Sequence, residues 1–219
     1  MEIDIITIES KLNYVFQDKN LLITAFTHSS YANECINERA DYERLEFVGD
    51  SLIGAVVAEY LYIKYPNLNQ GELSKIKAVL VSARLFAKII NKLDLVKYLQ
   101  IGEALRGVVS DRLKGDLFEG IIGAIYIDSN SYNVTKKIVI DLLDEYINKE
   151  YNIEELTDYK SRIFEMCAKN SWEIKFITDK CIEGFISQLF INGKALGLGT
   201  GQSKKQAEQK ASKDALTKV

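Results

Sequence analysis

The stretch DYERLEFVGDSLIGAVV, residues 41–57, predicts a buried helix that carries a row of acidic side chains. Its helical period places three carboxylates on one face, at i, i+3 and i+7: those of Glu43, Glu46 and Asp50. Apolar residues cover most of the remaining circumference, a pattern typical of a helix inside a core. These residues are Leu45, Phe47, Val48, Leu52, Ile53, Val56 and Val57.

Acidic groups on such a helix need a compensating partner. Like charges one turn apart repel, and desolvating them costs on the order of several kcal/mol unless a partner is present. A metal cation is the simplest partner, whereas the alternative is a surface helix whose acidic stripe faces water. Gly49 favours the first interpretation, because glycine inside a helix costs about 1 kcal/mol relative to alanine and indicates close approach to the backbone. Spacing alone leaves both open.

A second stretch, DLFEGIIGAIYIDS at residues 116–129, repeats this pattern. Asp116 and Glu119 stand one turn apart on another largely apolar helix. Two such helices packed side by side would bring four carboxylates to one point: those of Glu46, Asp50, Asp116 and Glu119. Hard cations such as Mg²⁺ prefer oxygen ligands of this kind, and softer metals would require His or Cys ligands.

The composition is that of an ordinary protein that favours helix, with 219 residues, 47% hydrophobic residues and a single proline. No apolar run approaches the about 18 residues of a membrane span. The acidic N-terminus lacks a secretory signal, so we expect a cytoplasmic protein. Three scattered cysteines without metal-ligand spacing, Cys35, Cys167 and Cys181, are expected to be reduced.

Charge is unevenly distributed along the chain. Residues 157–219 contain 11 Lys and Arg against 7 Asp and Glu, a net charge of +4, which leaves −7 for residues 1–156 of a chain whose formal net charge is −3. A basic end joined to an acidic body suggests that one part holds a polyanion and the other holds cations.

The first part of the chain has helical periods almost throughout. We expect helices at residues 4–16, 18–32 and 134–149, with Pro66 closing one helix and no alternating strand. His28 is the only histidine, and a hydrogen-bonded packing role is more common for such a residue than ligation or catalysis. We expect a boundary near residue 153, between domains at 1–152 and 156–219.

The second part predicts an α-β-β-β-α order. An amphipathic helix begins after Thr157 or Asp158, and Asn192-Gly193 predicts a type I′ hairpin turn. The expected strands are WEIKFIT (172–178), GFISQLFI (184–191) and KALGLG (194–199). The last helix begins at Ser203 and carries Ala207, Ala211 and Ala215 in a row suited to close packing on a sheet.

Ser203, Lys204 and Lys205 predict a phosphate site. Two lysines in the first turn of a helix oppose its dipole, and an anion held by the free backbone N–H groups would reverse that effect. Three glycines just before this helix, Gly197, Gly199 and Gly201, would allow a backbone to approach. The alternative is a merely solvated lysine pair.

Two motifs carry a resemblance to a known family. ERLEFVGDS, residues 43–51, closely resembles the signature of ribonuclease III. GTGQSKKQAEQKASKDAL resembles the last helix and preceding loop of a double-stranded-RNA-binding domain. THSSY (27–31), GELSKIKA (71–78) and residues 116–129 match further stretches in family order.

The resemblance implies an all-α endonuclease domain that forms a homodimer, followed by a small α+β double-stranded-RNA-binding domain. The reaction would cleave double-stranded RNA to 5′-phosphate and 3′-hydroxyl ends with a short 3′ overhang, in the processing of ribosomal and other structured RNA precursors. By match of motif, the resemblance implies that Glu46, Asp50, Asp116 and Glu119 bind Mg²⁺, for which Mn²⁺ can substitute. Asp50 and Glu119 are also catalytic, and Glu43 is accessory.

The same resemblance implies how RNA is held. Ser161 and Glu165 would contact a minor groove, and Ser203, Lys204 and Lys205 would meet phosphates across the intervening major groove. Such contacts read shape and 2′-hydroxyl groups more than sequence.

Several positions depart from the family pattern. Gln70 stands at an accessory position where glutamate is usual, and Glu72 would face elsewhere on a helix. Cys181 occupies the place of an RNA-binding histidine, and Phe164 replaces a polar residue of the first helix of the second domain. The segment before Asp116 is poorer in basic residues and glycine. We interpret these changes as altered affinity or substrate preference.

Two other functions remain open. A degenerate, non-cleaving RNA-binding protein would keep the fold, but four acids near a phosphate backbone would repel its ligand. A helical scaffold with a protein-binding tail would require both the buried acids and the lysine pair to be accidental.

Overall fold

The computed structural model describes residues 3–35, 40–105, 107, 109–149 and 158–219. The chain divides into two compact units, residues 1–153 and 154–219, called here the helical unit and the small unit. None of the helices in these described ranges combines the length and the apolar character that a membrane span requires.

The helical unit is built from α-helices. They are α1 (Ile5–Leu12), α2 (Lys19–Ala25), α3 (Ser29–Ala32), α4 (Glu43–Lys64), α5 (Gln70–Leu80), α6 (Ala83–Lys92), α7 (Asp111–Ser129) and α8 (Tyr132–Lys149), with 3-10 turns at Val96–Tyr98 and Glu103–Leu105. Helix α4 ends just before Pro66, as predicted. Helix α7 begins at Asp111, earlier than the sequence suggested, because Ser110 caps it.

The prediction of one helix over residues 18–32 is wrong. Helix α2 ends at Ala25, and Thr27 forms an isolated parallel bridge with Gln100. The His28 N–H donates to the carbonyl of Gln100, whose own N–H donates to the carbonyl of Phe26. These bonds replace helical ones, so the chain turns and restarts as α3.

Helices α4 and α7 pack backbone against backbone at the centre of the helical unit. A Cβ atom at Gly49 would lie 1.9 Å from the carbonyl oxygen of Glu119, and one at Gly123 would lie 2.0 Å from that of Leu45. The close approach expected at Gly49 is therefore confirmed. Helix α7 also packs against α2, α6 and α8, with Phe86 and Phe118 stacked at 4.6 Å between ring centroids.

Helix α4 also carries apolar residues that do not enter this core. Its buried residues include Leu45, Ile53 and Val57, but the side chain of Phe47 is 77% exposed. The expectation that Phe47 is buried with the other apolar residues is wrong, because it points away from the seam with α7.

Near the end of α7, Asp128 ties the connection between α1 and α2 to the core. Its carboxylate accepts hydrogen bonds from the Tyr14 hydroxyl at 2.7 Å and from the N–H groups of Gln17 and Asp18 at 2.8 Å. Burial tends to raise the pKa of Asp128, but these hydrogen bonds outweigh it and hold the pKa below its usual value.

The small unit has the predicted α-β-β-β-α order. It contains α9 (Tyr159–Lys169), β1 (Ile174–Cys181), β2 (Gly184–Ile191), β3 (Lys194–Gly201) and α10 (Lys204–Leu216). The strands form an antiparallel sheet in the order β1-β2-β3. Asn192 and Gly193 both have positive φ, 49° and 74°, which confirms the type I′ turn.

The glycines of β3 have a different role from the one predicted. Ala207, Ala211 and Ala215 are fully buried where α10 packs on the sheet. A Cβ atom at Gly199 would lie 2.3 Å from the carbonyl oxygen of Ala207, and one at Gly197 would lie 2.1 Å from that of Ala211. These glycines therefore admit the helix backbone, and an approaching phosphate is not needed to explain them.

Candidate active site and nucleic-acid interface

Three of the four predicted carboxylates converge in the helical unit. Helix α4 carries Glu46, and α7 carries Asp116 and Glu119 one turn apart. One carboxylate oxygen from each lies within 4.8 Å of the others, and all three residues are half-buried. The close contact at Gly49 explains this, because it brings the two helices near enough for their side chains to meet.

The surroundings disfavour three simultaneous negative charges. Burial and the charges of Asp50, Glu46 and Asp116 raise the pKa of Glu119 to about 7. Burial also raises the pKa of Glu46, assisted by the charge of Asp116. The pKa of Asp116 is raised by burial too, although the charges of Arg112 and His28 partly oppose this.

This group fits a divalent cation. A cation placed among the oxygens would favour the ionised carboxylates and remove their mutual repulsion. The donors are all oxygens, which suits a hard ion such as Mg²⁺ or Mn²⁺. We conclude that the acidic cluster could hold a metal ion.

The fourth predicted ligand, Asp50, lies at the rim of the cluster. It is exposed and stands outside the group of oxygens within 4.8 Å, although its charge helps to raise the pKa of Glu119. Glu43 is exposed in the first turn of α4, and its charge contributes to the raised pKa of Glu46.

Gln70 lies elsewhere. Its amide nitrogen is 3.1 Å from the Ser74 hydroxyl, at the start of α5. It lines a groove together with Tyr62, Ile63 and Pro66, and none of the described lining residues belongs to the acidic cluster. Glu72 is buried, where it caps its own helix through Asn69.

Tyr42 also borders the cluster, and it is not among the site residues predicted from the sequence. Tyr42 precedes α4 and is 2% exposed. Burial, together with the charges of Asp116 and Glu46, raises its pKa above the usual value. Its aromatic character next to the Glu43–Asp50 row was the only available signal.

His28 packs edge-on against Tyr42, with ring centroids 5.6 Å apart. Its Nδ1 atom accepts the Ser30 N–H at 3.0 Å. The predicted hydrogen-bonded packing role is confirmed. Because His28 also influences the pKa of Asp116, the residue lies beside the cluster as well.

In the small unit, most of the predicted RNA contacts line one cleft between α9 and α10. Its lining residues are Asp158, Lys160, Ser161, Phe164, Glu165, Lys204, Lys205, Glu208 and Gln209. Lys204 and Lys205 are exposed in the first turn of α10. The Ser203 side chain caps that helix by accepting the N–H of Gln206 at 3.3 Å.

Cys181 does not join this cleft. It is the last residue of β1 and is exposed beside the turn to β2, opposite Gly184. The structure therefore gathers Ser161, Glu165, Lys204 and Lys205 but leaves Cys181 outside the described lining.

Comparisons with known proteins agree with this architecture. The family described as "Ribonuclease-III-like" matches residues 18–146, and the "Double-stranded RNA binding motif" matches residues 159–219. Ribonuclease 3 of Caldanaerobacter subterraneus is 36% identical over 97% of this chain and 96% of its own length. Ribonuclease 3 of Chlamydia trachomatis serovar L2 is also 36% identical, over 98% and 96%.

Solved structures are similar as well. The nuclease domain of ribonuclease III from Campylobacter jejuni has a TM-score of 0.60 and 36% identity, covering 67% of this chain and 97% of its own. Dicer from Pichia stipitis, with 22% identity and a TM-score of 0.53, shares the fold over 93% of this chain and 95% of its own.

Fold and site together define a ribonuclease in which an all-α nuclease unit with an acidic centre precedes a double-stranded-RNA-binding domain. The chain belongs to the ribonuclease III family, which confirms the predicted family and fold class.

Proposed function

We propose that this protein is a Mg²⁺-dependent endoribonuclease that cleaves double-stranded RNA to 5′-phosphate and 3′-hydroxyl ends with a short 3′ overhang. One observation carries the proposal: carboxylate oxygens of Glu46, Asp116 and Glu119 lie within 4.8 Å of one another in a member of the ribonuclease III family. Three half-buried carboxylates at this spacing can bind a cation together. Without a cation, their mutual repulsion and their desolvation destabilise the folded protein.

The metal would be held by these three residues and by Asp50 from the rim. Bound Mg²⁺ supplies activation of water for attack on a phosphodiester and stabilisation of the leaving oxygen. Mn²⁺ can substitute, because it accepts the same oxygen ligands. We assign catalytic roles to Glu119 and Asp50, whose charges interact.

The accessory positions have weaker roles. Glu43 adds negative charge near Glu46, which favours retention of a cation. Gln70 carries a neutral amide and lines a groove apart from the acidic cluster, so we expect it to contribute little to metal affinity.

Double-stranded RNA would bind to the cleft of the small unit. Ser161 and Glu165 are proposed to contact a minor groove, and Ser203, Lys204 and Lys205 to contact phosphates. The net charge of +4 over residues 157–219 supports this assignment. Cys181 would lie beside the RNA, where a thiol is a weak hydrogen-bonding group.

A homodimer through the helical unit is also part of the proposal. Phe47 is 77% exposed immediately beside Glu46, and burying its apolar surface against a second subunit would be favourable. A Campylobacter jejuni nuclease domain is described as having a region involved in dimer formation. Each protomer would then cut one RNA strand.

The natural substrates would be ribosomal and other structured RNA precursors in the cytoplasm. Cys35, Cys167 and Cys181 are free thiols, which is consistent with a reducing compartment.

The test is incubation of a long end-labelled RNA duplex with the purified protein in Mg²⁺ and, separately, in EDTA. The Glu119→Gln variant should not cleave, because it loses one ligand charge. The Asp94→Asn variant is a matched control, since it removes an exposed carboxylate of the same unit at a position of positive φ that asparagine tolerates.

We expect the protein to cut the duplex, but not single-stranded RNA, in Mg²⁺ and not in EDTA. This cutting should be lost in Glu119→Gln and kept in Asp94→Asn. Cleavage by Glu119→Gln would remove that residue from the mechanism. Duplex binding without any cleavage would favour the alternative of a non-cleaving RNA-binding protein.

A further inference from the structure

Phe164 is an apolar residue in a polar cleft. It lies on α9 between Ser161 and Glu165, and its side chain is 43% exposed. Among the described residues that line the cleft, Phe164 is the only one without a polar group in its side chain. Its position places an aromatic ring where the RNA is proposed to approach.

Neighbouring side chains hold this ring in place. Phe176 of β1 lies 5.9 Å from it between ring centroids, at an interplanar angle of 31°. The ammonium group of Lys160 lies 5.9 Å from the centroid of Phe164 and 5.2 Å from that of Phe176. Lys160 is itself fixed, because it donates to the carboxylate of Glu208 at 2.7 Å. The ring is therefore organised before any ligand arrives, which reduces the entropic cost of using it.

The ring is poorly matched to an uninterrupted duplex. The minor groove of A-form RNA presents 2′-hydroxyl groups and base edges, which need hydrogen-bonding partners. A phenyl ring would cover such groups without offering a partner, and that desolvation is unfavourable. An unpaired base, in contrast, has a free π-face that stacks on an aromatic side chain.

We infer that Phe164 is a specificity-determining residue that stacks on an unpaired base, so that the small unit prefers duplexes carrying a bulged or looped-out nucleotide. This inference rests on the proposed function, because it identifies the subclass of double-stranded RNA that the cleft binds best. Phe176 and Lys160 lie beside the ring, and Lys204 and Lys205 hold phosphates across the intervening major groove.

The test is binding of the full chain, in EDTA to prevent cleavage, to three fluorescently labelled RNAs. The first is an uninterrupted duplex, the second contains one unpaired adenosine, and the third carries an abasic residue at that same position. The abasic RNA has the same backbone irregularity but no base to stack. We expect the adenosine RNA to bind about tenfold more tightly than the abasic RNA, equivalent to ~1.4 kcal/mol.

Two variants separate stacking from simple apolar contact. Phe164→Leu keeps an apolar side chain without a π-face and should lower the adenosine-to-abasic ratio to about one. Phe164→Tyr keeps the ring and should preserve the ratio. Because Phe164 is partly exposed, both variants should fold, which thermal unfolding checks.

Equal binding of the adenosine and abasic RNAs by the wild type would overturn the inference, as would an unchanged ratio in Phe164→Leu. The variant Lys204→Ala/Lys205→Ala should bind all three RNAs more weakly and should keep the adenosine-to-abasic affinity ratio of the wild type. If the wild type binds the uninterrupted duplex but the ratio is one, only the role of Phe164 fails. If it binds none of the RNAs, the proposed function fails as well.

Discussion

Replacing Gly49 by alanine should force α4 and α7 apart. The added Cβ atom would lie 1.9 Å from the carbonyl oxygen of Glu119, and real Cβ atoms essentially never approach another heavy atom within 3.0 Å. The helices must therefore separate locally by at least 1.1 Å. The obstructing atom belongs to the backbone of α7, so it cannot rotate away as a side chain would.

The expected cost follows from two opposing terms. Overpacking a well-filled core costs about 1–3 kcal/mol, and a fixed backbone obstacle places Gly49→Ala at the upper end. Alanine recovers about 1 kcal/mol of helix propensity. The free energy of unfolding should therefore fall by about 2 kcal/mol. Separation would also move Glu46, one turn earlier on α4, away from Glu119 and weaken metal binding.

Gly54→Ala is the matched control in the same helix. Its Cβ atom would lie 3.5 Å from the flexible end of Lys77, an ordinary contact, so the variant should keep its stability or gain up to about 1 kcal/mol. Urea denaturation of the metal-free proteins, followed by circular dichroism, measures both effects. Calorimetric titration with Mn²⁺ measures the affinity of the acidic cluster for a metal ion.

Equal stability of the two variants would refute the close-contact argument. A destabilised Gly49→Ala protein with unchanged Mn²⁺ affinity would refute the link between helix packing and the acidic cluster.

Other variants test the remaining assignments. Lys204→Ala/Lys205→Ala should weaken duplex binding and flatten its salt dependence, because fewer counterions are released; binding measured at several salt concentrations gives the slope. Phe47→Arg should shift the sedimentation coefficient towards that of a monomer, because it places a charge in the proposed subunit interface. Asp128→Asn should lower the free energy of unfolding at pH 7 by about 2 kcal/mol, as hydrogen bonds to a charged group are lost. Because the folded-state pKa of Asp128 is lowered, its contribution is present above the unfolded-state pKa and disappears as pH falls through the folded-state value; denaturation at pH 7 and pH 3 tests this.

Each of these variants has a matched control or a contrary outcome. Lys175→Ala/Lys194→Ala removes two exposed charges of the small unit outside the cleft, and an identical salt slope in both double variants would contradict the phosphate contacts. Ile6→Ala alters another exposed apolar residue of the helical unit, and a monomeric wild type would exclude the proposed dimer. A stability difference for Asp128→Asn that does not shrink at low pH would argue against an ionised acceptor.

Patterns in the sequence predicted the features that depend on interactions between residues close together in the chain. Helical spacing correctly placed Asp116 and Glu119 one turn apart on α7, and their carboxylates meet that of Glu46 on α4. The type I′ turn at Asn192-Gly193 followed from the positive φ that both residues tolerate. The helix-starting side chains of Asp158 and Ser203 likewise mark the starts of α9 and α10.

Features that depend on distant partners could not be predicted in this way. The break between α2 and α3 arises because Thr27 pairs with Gln100, which is remote in sequence. The exposure of Phe47 depends on which face of α4 meets α7, and helical period alone does not select that face. The glycines of β3 were assigned to a ligand because nothing local showed that α10 would occupy the same space.

The acidic cluster and the basic small unit have opposite electrostatic effects on RNA. The glycine contacts between α4 and α7 allow a close approach of the two helix backbones, which concentrates three acids at one point. Without a cation, that point repels a phosphate backbone, so we expect affinity to come mainly from the small unit, where residues 157–219 carry a net charge of +4. Duplex binding should therefore persist in EDTA while cleavage disappears, and the two properties should be separable by mutation of Glu119 on one side and of Lys204 and Lys205 on the other.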